Sequence, residues 1–78
     1  MVTNAYREEQ KARQYLDEKI RFVLKGNQFD YAYLLRQTLL GFSVSRRMVE
    51  SFINDFYIET NEIILLDGFL QKAKEVKK

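Results

Sequence analysis

Residues 42–56, FSVSRRMVESFINDF, decide the fold of this chain because they combine a helix start with a clear helical period. Ser45 is a good N-cap, since its side-chain oxygen can accept a hydrogen bond from a free N–H group of the first turn. The apolar residues recur at i, i+3, i+4 and i+7, namely Val49, Phe52, Ile53 and Phe56. The opposite face carries Arg46, Arg47, Glu50, Ser51 and Asn54. The pattern predicts a helix over residues 45–56 that buries one face and exposes the other.

Two more helices are predicted before this segment. The first spans residues 4–25 and ends at Gly26, with an apolar stripe at helical spacing. The stripe consists of Ala5, Ala12, Leu16, Ile20 and Val23. The second begins after Asp30, a good N-cap, and ends at Gly41. Its inward-facing residues are predicted to be Leu34, Leu35, Thr38 and Leu39. This second helix and the helix that ends at residue 56 are expected to form a helix pair over residues 30–56, connected by a tight turn.

A β-hairpin is predicted after the third helix. Residues 57–59 and 62–66 are short apolar segments of strand character, separated by Thr60 and Asn61. Asparagine tolerates the positive φ that a two-residue hairpin turn requires. We therefore expect a hairpin over residues 57–66.

A final helix is predicted over residues 68–77, with Asp67 as its cap. No linker or repeat interrupts the chain, so residues 1–78 are expected to form a single domain. The chain is 46% apolar and 31% charged, a balance that is typical of globular domains. The predicted fold class is mainly α with a small β-hairpin.

The composition excludes most catalytic chemistries. The chain has no Cys and no His, so thiolate metal sites, cysteine nucleophiles and Ser-His-Asp triads are excluded. Glu59 and Glu62 flank the predicted turn, where carboxylates usually face solvent without binding a metal. We therefore expect no enzyme activity, no cofactor, no metal site and no small-molecule substrate.

The apolar segments are too short for a membrane span. The longest apolar run, Ile63–Leu66, is far below the ~20 residues that a spanning helix needs. The first residues, MVTNAYREEQKAR, contain no apolar core of a secretory signal. We expect a cytoplasmic protein with no membrane partner.

The order of the elements resembles that of the small winged helix-turn-helix transcription regulators of archaea, viruses and phages. Residues 42–49, FSVSRRMV, followed by Phe52 and Ile53, are similar to the turn and recognition helix of that family. Ser43 stands where the family usually has Gly, and Met48 replaces a polar residue. The resemblance covers residues 5–77 and implies a three-helix core, a two-stranded wing at 57–66 and a C-terminal helix.

The resemblance implies a double-stranded DNA partner and a role in transcription regulation. The third helix would enter the major groove with its N-terminal residues toward the bases. The predicted DNA contacts are Ser43, Ser45, Arg46, Arg47, Glu50, Ser51 and Asn54. Lysines near the C-terminus would add phosphate contacts, namely Lys72, Lys74, Lys77 and Lys78. Arg46 and Arg47 also oppose the helix dipole, and residues that break a local rule are candidates for function.

The charge distribution favours an alternative function. The chain has 13 basic and 11 acidic residues, a net charge of only +2. The predicted wing tip is flanked by Glu59 and Glu62 and carries no cation, so it would contribute little to phosphate binding. A winged-helix module that binds another protein and no nucleic acid is the alternative.

A homodimer contact is predicted on the first helix. Tyr15 and Phe22 are seven residues apart, on one line that lies away from the core stripe. Two aromatic side chains on such a line indicate a contact with a second copy. A symmetric dimer is the commonest oligomer and would match palindromic half-sites in DNA.

Overall fold

Three helices and a three-stranded antiparallel sheet make up residues 4–73, the part of the chain that the computed structural model describes. The helices are α1 (Asn4–Leu24), α2 (Tyr31–Gly41) and α3 (Arg46–Ile53), which continues into one π-helical turn (Asn54–Ile58). The strands are β1 (Phe29–Asp30), β2 (Ile63–Leu66) and β3 (Phe69–Lys72). None of the helices in this range is long and apolar enough to cross a membrane.

The predicted starts of α2 and α3 and the predicted end of α1 are confirmed. The Asp30 carboxylate accepts a hydrogen bond of 3.1 Å from the Tyr33 N–H at the start of α2. The Ser45 hydroxyl accepts one of 3.1 Å from the Met48 N–H at the start of α3. Gly26 follows α1 with a φ of 107°, which favours glycine at the residue after a helix. These local signals fix where each helix begins or ends, and so how α2 and α3 meet.

The core lies between the three helices and the inner face of the sheet. The α1 stripe is fully buried at Ala12, Leu16, Ile20 and Val23, as predicted. Leu34 from α2, Val49 and Ile53 from α3, and Ile63 and Leu70 from the hairpin are also 0% exposed. Each of these Leu, Ile and Val side chains contributes roughly 1.5–3 kcal/mol by leaving water. The buried Val49 and Ile53 hold α3 with its polar face toward solvent.

The sheet has the order β1-β3-β2 and joins the helix pair to the hairpin. Phe29 of β1 pairs with Leu70 of β3, and the Tyr31 N–H donates to the Gly68 carbonyl at 3.0 Å. The sequence did not predict β1, because two residues are too few to show a strand period. Its pairing fixes the start of α2 against the hairpin.

The β-hairpin spans residues 63–72, so its predicted position at residues 57–66 is wrong. Leu66 pairs with Phe69, and only Asp67 and Gly68 connect the two strands. Their φ angles are 52° and 83°, and two successive residues with positive φ form the turn that matches the twist of a hairpin. The Asp-Gly pair satisfies this requirement better than Thr60-Asn61 does.

The segment predicted as the first strand of the hairpin is helical. Ile53 and Tyr57 are four residues apart and both are buried, whereas Phe56 is 53% exposed, which is a helical period. Asn61 has a φ of 64°, and its N–H donates to the Ile58 carbonyl at 3.0 Å. Asn61 therefore marks a helix end, because the left-handed conformation serves helix ends as well as hairpins.

The predicted helix over residues 68–77 is contradicted in its first half. Residues 69–72 form β3, where Leu70 is buried and its neighbour Phe69 is 40% exposed, the alternation of a strand. Asp67 lies in the hairpin turn and caps no helix. The remainder of that prediction, residues 74–77, lies outside the described residues.

Tyr57 connects the π-helical turn to α1, and this contact leads us to expect lower stability at alkaline pH. Its hydroxyl donates a hydrogen bond to Asp17 Oδ1. Burial raises the pKa of Tyr57 well above its usual range, and the hydrogen bond to Asp17 adds to this effect. Because the folded state disfavours the ionised phenol, its stabilising contribution is complete below the unfolded pKa of about 10 and is lost above it. The free energy of unfolding should therefore decrease above about pH 10.

The variant Tyr57→Phe isolates this contribution. This variant should have a lower free energy of unfolding at pH 8 than the original chain. Between about pH 10 and 11 its free energy of unfolding should decrease less steeply than that of the original chain, as measured by urea unfolding. Burial and the Glu50 carboxylate also raise the pKa of Tyr31, so some decrease should remain. The control is Tyr33→Phe, because Tyr33 is 47% exposed. Parallel pH profiles for the original chain and Tyr57→Phe would contradict the assignment.

Candidate functional site

The exposed face of α3 is held in place by contacts on its other side. Val49 and Ile53 are fully buried, and the Phe52 ring lies under the Arg13 guanidinium of α1, 5.3 Å from its centre. Arg13 is itself fixed by a 2.8 Å ion pair with Glu9. The polar face of α3 therefore has one orientation relative to the core.

The first turn of α3 presents two arginines to solvent. The Arg46 side chain is 69% exposed and its Nε lies 3.1 Å from Glu50 Oε1, one turn further on. Arg47 is also exposed, and no carboxylate within residues 4–73 lies at ion-pair distance from it. Ser51 is exposed one turn beyond Arg47 on the same line. Arg47 and Ser51 are thus available to a ligand, whereas Arg46 must break its ion pair with Glu50 before it can contact one.

The far end of the same face is acidic. The Asn54 side-chain amide donates to Glu59 Oε1 at 3.2 Å and to Asp55 Oδ1 at 3.4 Å. These bonds occupy the amide that was predicted to contact a base. The face is therefore positive at its N-terminal turn and negative beyond Asn54.

Two of the three serines predicted to contact DNA, Ser43 and Ser45, already have partners in the chain. The Ser43 N–H donates to Glu8 Oε1 at 3.2 Å, which connects the start of α1 to the turn before α3. The Ser45 hydroxyl is the N-cap of α3. Glu9 also borders a cleft of about 170 Å³ beside this turn. Carboxylates thus lie where a phosphate was predicted, and no spacing in the sequence indicated that residues 8 and 43 would meet.

Replacing Ser45 by alanine should lower the free energy of unfolding by about 1 kcal/mol, because the Met48 N–H loses its cap. Ser51→Ala is the matched control, since Ser51 is exposed inside the same helix and alanine is the better helix former there. Urea unfolding of both variants measures the difference. Equal stability of the two variants would show that Ser45 does not fix the start of α3.

Lys72 is the one predicted phosphate-contacting lysine that lies within residues 4–73. It is exposed at the end of β3 and pairs with Ile63 of β2. Lys74, Lys77 and Lys78 lie outside the described residues. Lys72 belongs to the hairpin, so it is not part of the α3 face.

The structure places the two predicted dimer residues in different surroundings. The Tyr15 ring packs on Phe42 with centroids 5.5 Å apart, and the Lys19 amine lies 5.1 Å from its centre. Phe22 is 47% exposed and meets the edge of Phe29 at 6.2 Å. Tyr15 is therefore partly covered within the chain, whereas Phe22 leaves half of its surface free.

No family model, characterised protein or solved structure matches this chain. Any inference about function therefore depends on the geometry of the chain itself. The α3 face presents the guanidinium groups of Arg46 and Arg47 and the hydroxyl group of Ser51 to solvent. Such groups donate hydrogen bonds to anionic and polar ligands.

Proposed function

We propose that this chain is a winged-helix protein that binds double-stranded DNA with α3 in the major groove and acts as a transcription regulator. The observation that carries the proposal is the pair Arg46 and Arg47 on the exposed first turn of a helix whose other face is buried. Recognition helices contact base edges with their N-terminal residues. Arginine is the side chain that most often pairs with guanine, through two parallel hydrogen bonds.

The arrangement of the elements supports this proposal. Three helices followed by an antiparallel hairpin, with a short strand between α1 and α2, are consistent with a winged-helix layout. The turn before α3 is tight, since only residues 42–45 separate α2 from α3. The acidic end of α3, near Asp55 and Glu59, would lie away from the bases in this orientation.

The hairpin would contribute little to DNA affinity. Its exposed side chains include Ile64, Leu66 and Phe69, and its turn carries Asp67. Lys72 is the one cation within residues 63–72. The cations that neutralise phosphates must therefore come mainly from α3 and from residues outside the hairpin.

A fluorescence-anisotropy titration of mixed-sequence duplex DNA at about 50 and about 200 mM salt tests the proposal. Three phosphate contacts would weaken binding about 40-fold over this range, because each contact releases counterions. A salt-dependent, micromolar affinity would support the proposal. The absence of binding at about 50 mM salt, or binding insensitive to salt, would contradict it.

Glu8→Gln should strengthen DNA binding roughly threefold at low salt, because it removes a negative charge beside the turn before α3. Glutamine keeps an oxygen that can accept the Ser43 hydrogen bond, so the turn should stay intact. Glu18→Gln, on an exposed part of α1, is the matched control for net charge. An equal effect of both variants would mean that Glu8 does not lie near the bound DNA.

Protein binding is the second candidate function, and exposed apolar side chains favour it. Leu40 is 76% exposed on α2, and Ile64, Leu66 and Phe69 are 39–51% exposed on one face of the hairpin. Large apolar side chains clustered on a surface mark interaction sites. A chain that binds no DNA but is protected at these residues by another protein would fit this alternative.

A further inference from the structure

A groove with an apolar floor and two arginines lies between α2 and the start of α3. Its volume is about 360 Å³, and it is open to solvent along one side. The lining residues are Ala32, Leu35, Arg36, Leu39, Leu40 and Arg46. Four of these are apolar, and none is acidic.

Leu40 is the most exposed of the leucines that line this groove. It is 76% exposed, the highest value among the large hydrophobic side chains of residues 4–73. Ala32, Arg36 and Leu40 are spaced four residues apart, so they follow one line along α2. Leu35 and Leu39, which are more buried, lie beside that line and form the floor. An incoming apolar side chain would therefore find apolar contacts on two sides.

The two arginines at the rim of the groove favour an acidic ligand. Arg36 is exposed on α2, and no carboxylate within the described part of the chain lies at ion-pair distance from it. Arg46 approaches from α3, with its side chain 69% exposed and one ion pair to Glu50. A guanidinium binds a carboxylate through two parallel hydrogen bonds. The two arginines thus favour carboxylates on either side of an apolar side chain.

We propose that this groove binds an acidic amphipathic helix of a partner protein. Such a helix carries apolar side chains at i, i+3 and i+4 that fit the floor, and acidic residues beside them that meet Arg36 and Arg46. The charge complementarity selects this partner over a neutral or basic helix. The hairpin, by contrast, carries a single cation within residues 63–72, so it offers no pair of cations to define a partner.

The proposal does not depend on DNA binding, although the two ligands would share Arg46. A partner helix in the groove would hold Arg46 and compete with DNA for it. If the DNA proposal fails, the groove still predicts peptide binding. If peptide binding fails, the DNA proposal is unaffected.

A fluorescein-labelled, 18-residue peptide of leucine, alanine and glutamate, with an apolar face flanked by glutamates, tests the groove. Titrated with the full chain at about 50 mM salt and followed by anisotropy, it should bind in the micromolar range. The same peptide with lysine for every glutamate should bind at least about tenfold more weakly. No binding of the glutamate peptide up to about 1 mM, or equal binding of both peptides, would overturn the proposal.

Two pairs of variants locate the binding. Arg36→Glu should weaken the glutamate peptide at least about tenfold, whereas Lys25→Glu, the same charge change at the end of α1, should have a much smaller effect. Leu40→Ser should weaken it about tenfold, whereas Leu66→Ser on the hairpin should not. All four side chains are exposed, so circular dichroism should show unchanged folding. Equal effects within either pair would place the peptide elsewhere and contradict the proposal.

Discussion

Replacing Leu34 by alanine is expected to lower the free energy of unfolding by about 2–5 kcal/mol, the largest loss of stability that we predict for a single substitution. Leu34 is fully buried in α2 and belongs to the core that also contains Leu16, Ile53 and Leu70. The substitution removes apolar contacts and leaves a cavity that the neighbouring helices fill only in part. A chain of 78 residues has a total stability of roughly 4–12 kcal/mol. The loss is therefore a large fraction of the total, and the urea midpoint of unfolding should decrease clearly.

Leu40→Ala is the matched control, because it makes the same change in the same helix at a residue that is 76% exposed. Its effect should stay within about 0.5 kcal/mol. Urea unfolding followed by circular dichroism measures both variants. Similar losses at Leu34 and Leu40 would show that α2 packs with a different face toward the core.

Replacing Arg46 and Arg47 together by alanine is expected to weaken binding to a selected duplex about 30-fold or more, since each base contact contributes roughly 1–3 kcal/mol. The duplex would be selected from a randomised library by the original chain. Loss of Arg46 also leaves the Glu50 carboxylate without its partner, which adds repulsion toward phosphate. Binding isotherms at one fixed salt concentration measure the change.

The control for the two arginines is the pair Lys19→Ala and Lys25→Ala, which removes the same charge from α1 and from the residue that follows it. This pair should lower the affinity for every duplex by a similar, smaller factor and leave sequence preference intact. The arginine variant should lose sequence preference. If both double variants behave alike, α3 does not read the bases.

The helices were predictable from the sequence because their signals are local. Asp30 and Ser45 each provide the side-chain oxygen that starts a helix, and both make the expected hydrogen bond. The stripe from Ala12 to Val23 recurs at helical spacing and is fully buried. A cap and a helical period depend only on residues within a few turns, so these two signals can be recognised without knowing how the rest of the chain folds.

The hairpin was misplaced because two turn signals compete within seven residues. Asn61 and Asp67 both adopt positive φ, at 64° and 52°. Asn61 ends a helix, and Asp67 with Gly68 forms the hairpin turn. The Asp-Gly pair is the stronger hairpin signal, whereas the segment before it, Ile63–Leu66, has no alternation to reveal a strand.

The candidate site was predictable only in its helical part. The spacing within residues 45–56 placed Arg46, Arg47, Glu50 and Ser51 on the exposed side of α3. Contacts between distant segments left no trace in local spacing. The bond from Ser43 to Glu8 spans 35 residues, and the groove between Arg36 and Arg46 requires the packing of two helices.

Amide NMR spectra of the full chain, recorded while mixed-sequence duplex DNA is added at about 50 mM salt, test the role of α3 most directly. The proposal predicts that the largest shifts and broadening occur at Arg46, Arg47, Glu50 and Ser51, with smaller changes in the hairpin. Changes confined to residues 63–69, or spectra that stay unchanged at saturating DNA, would contradict it.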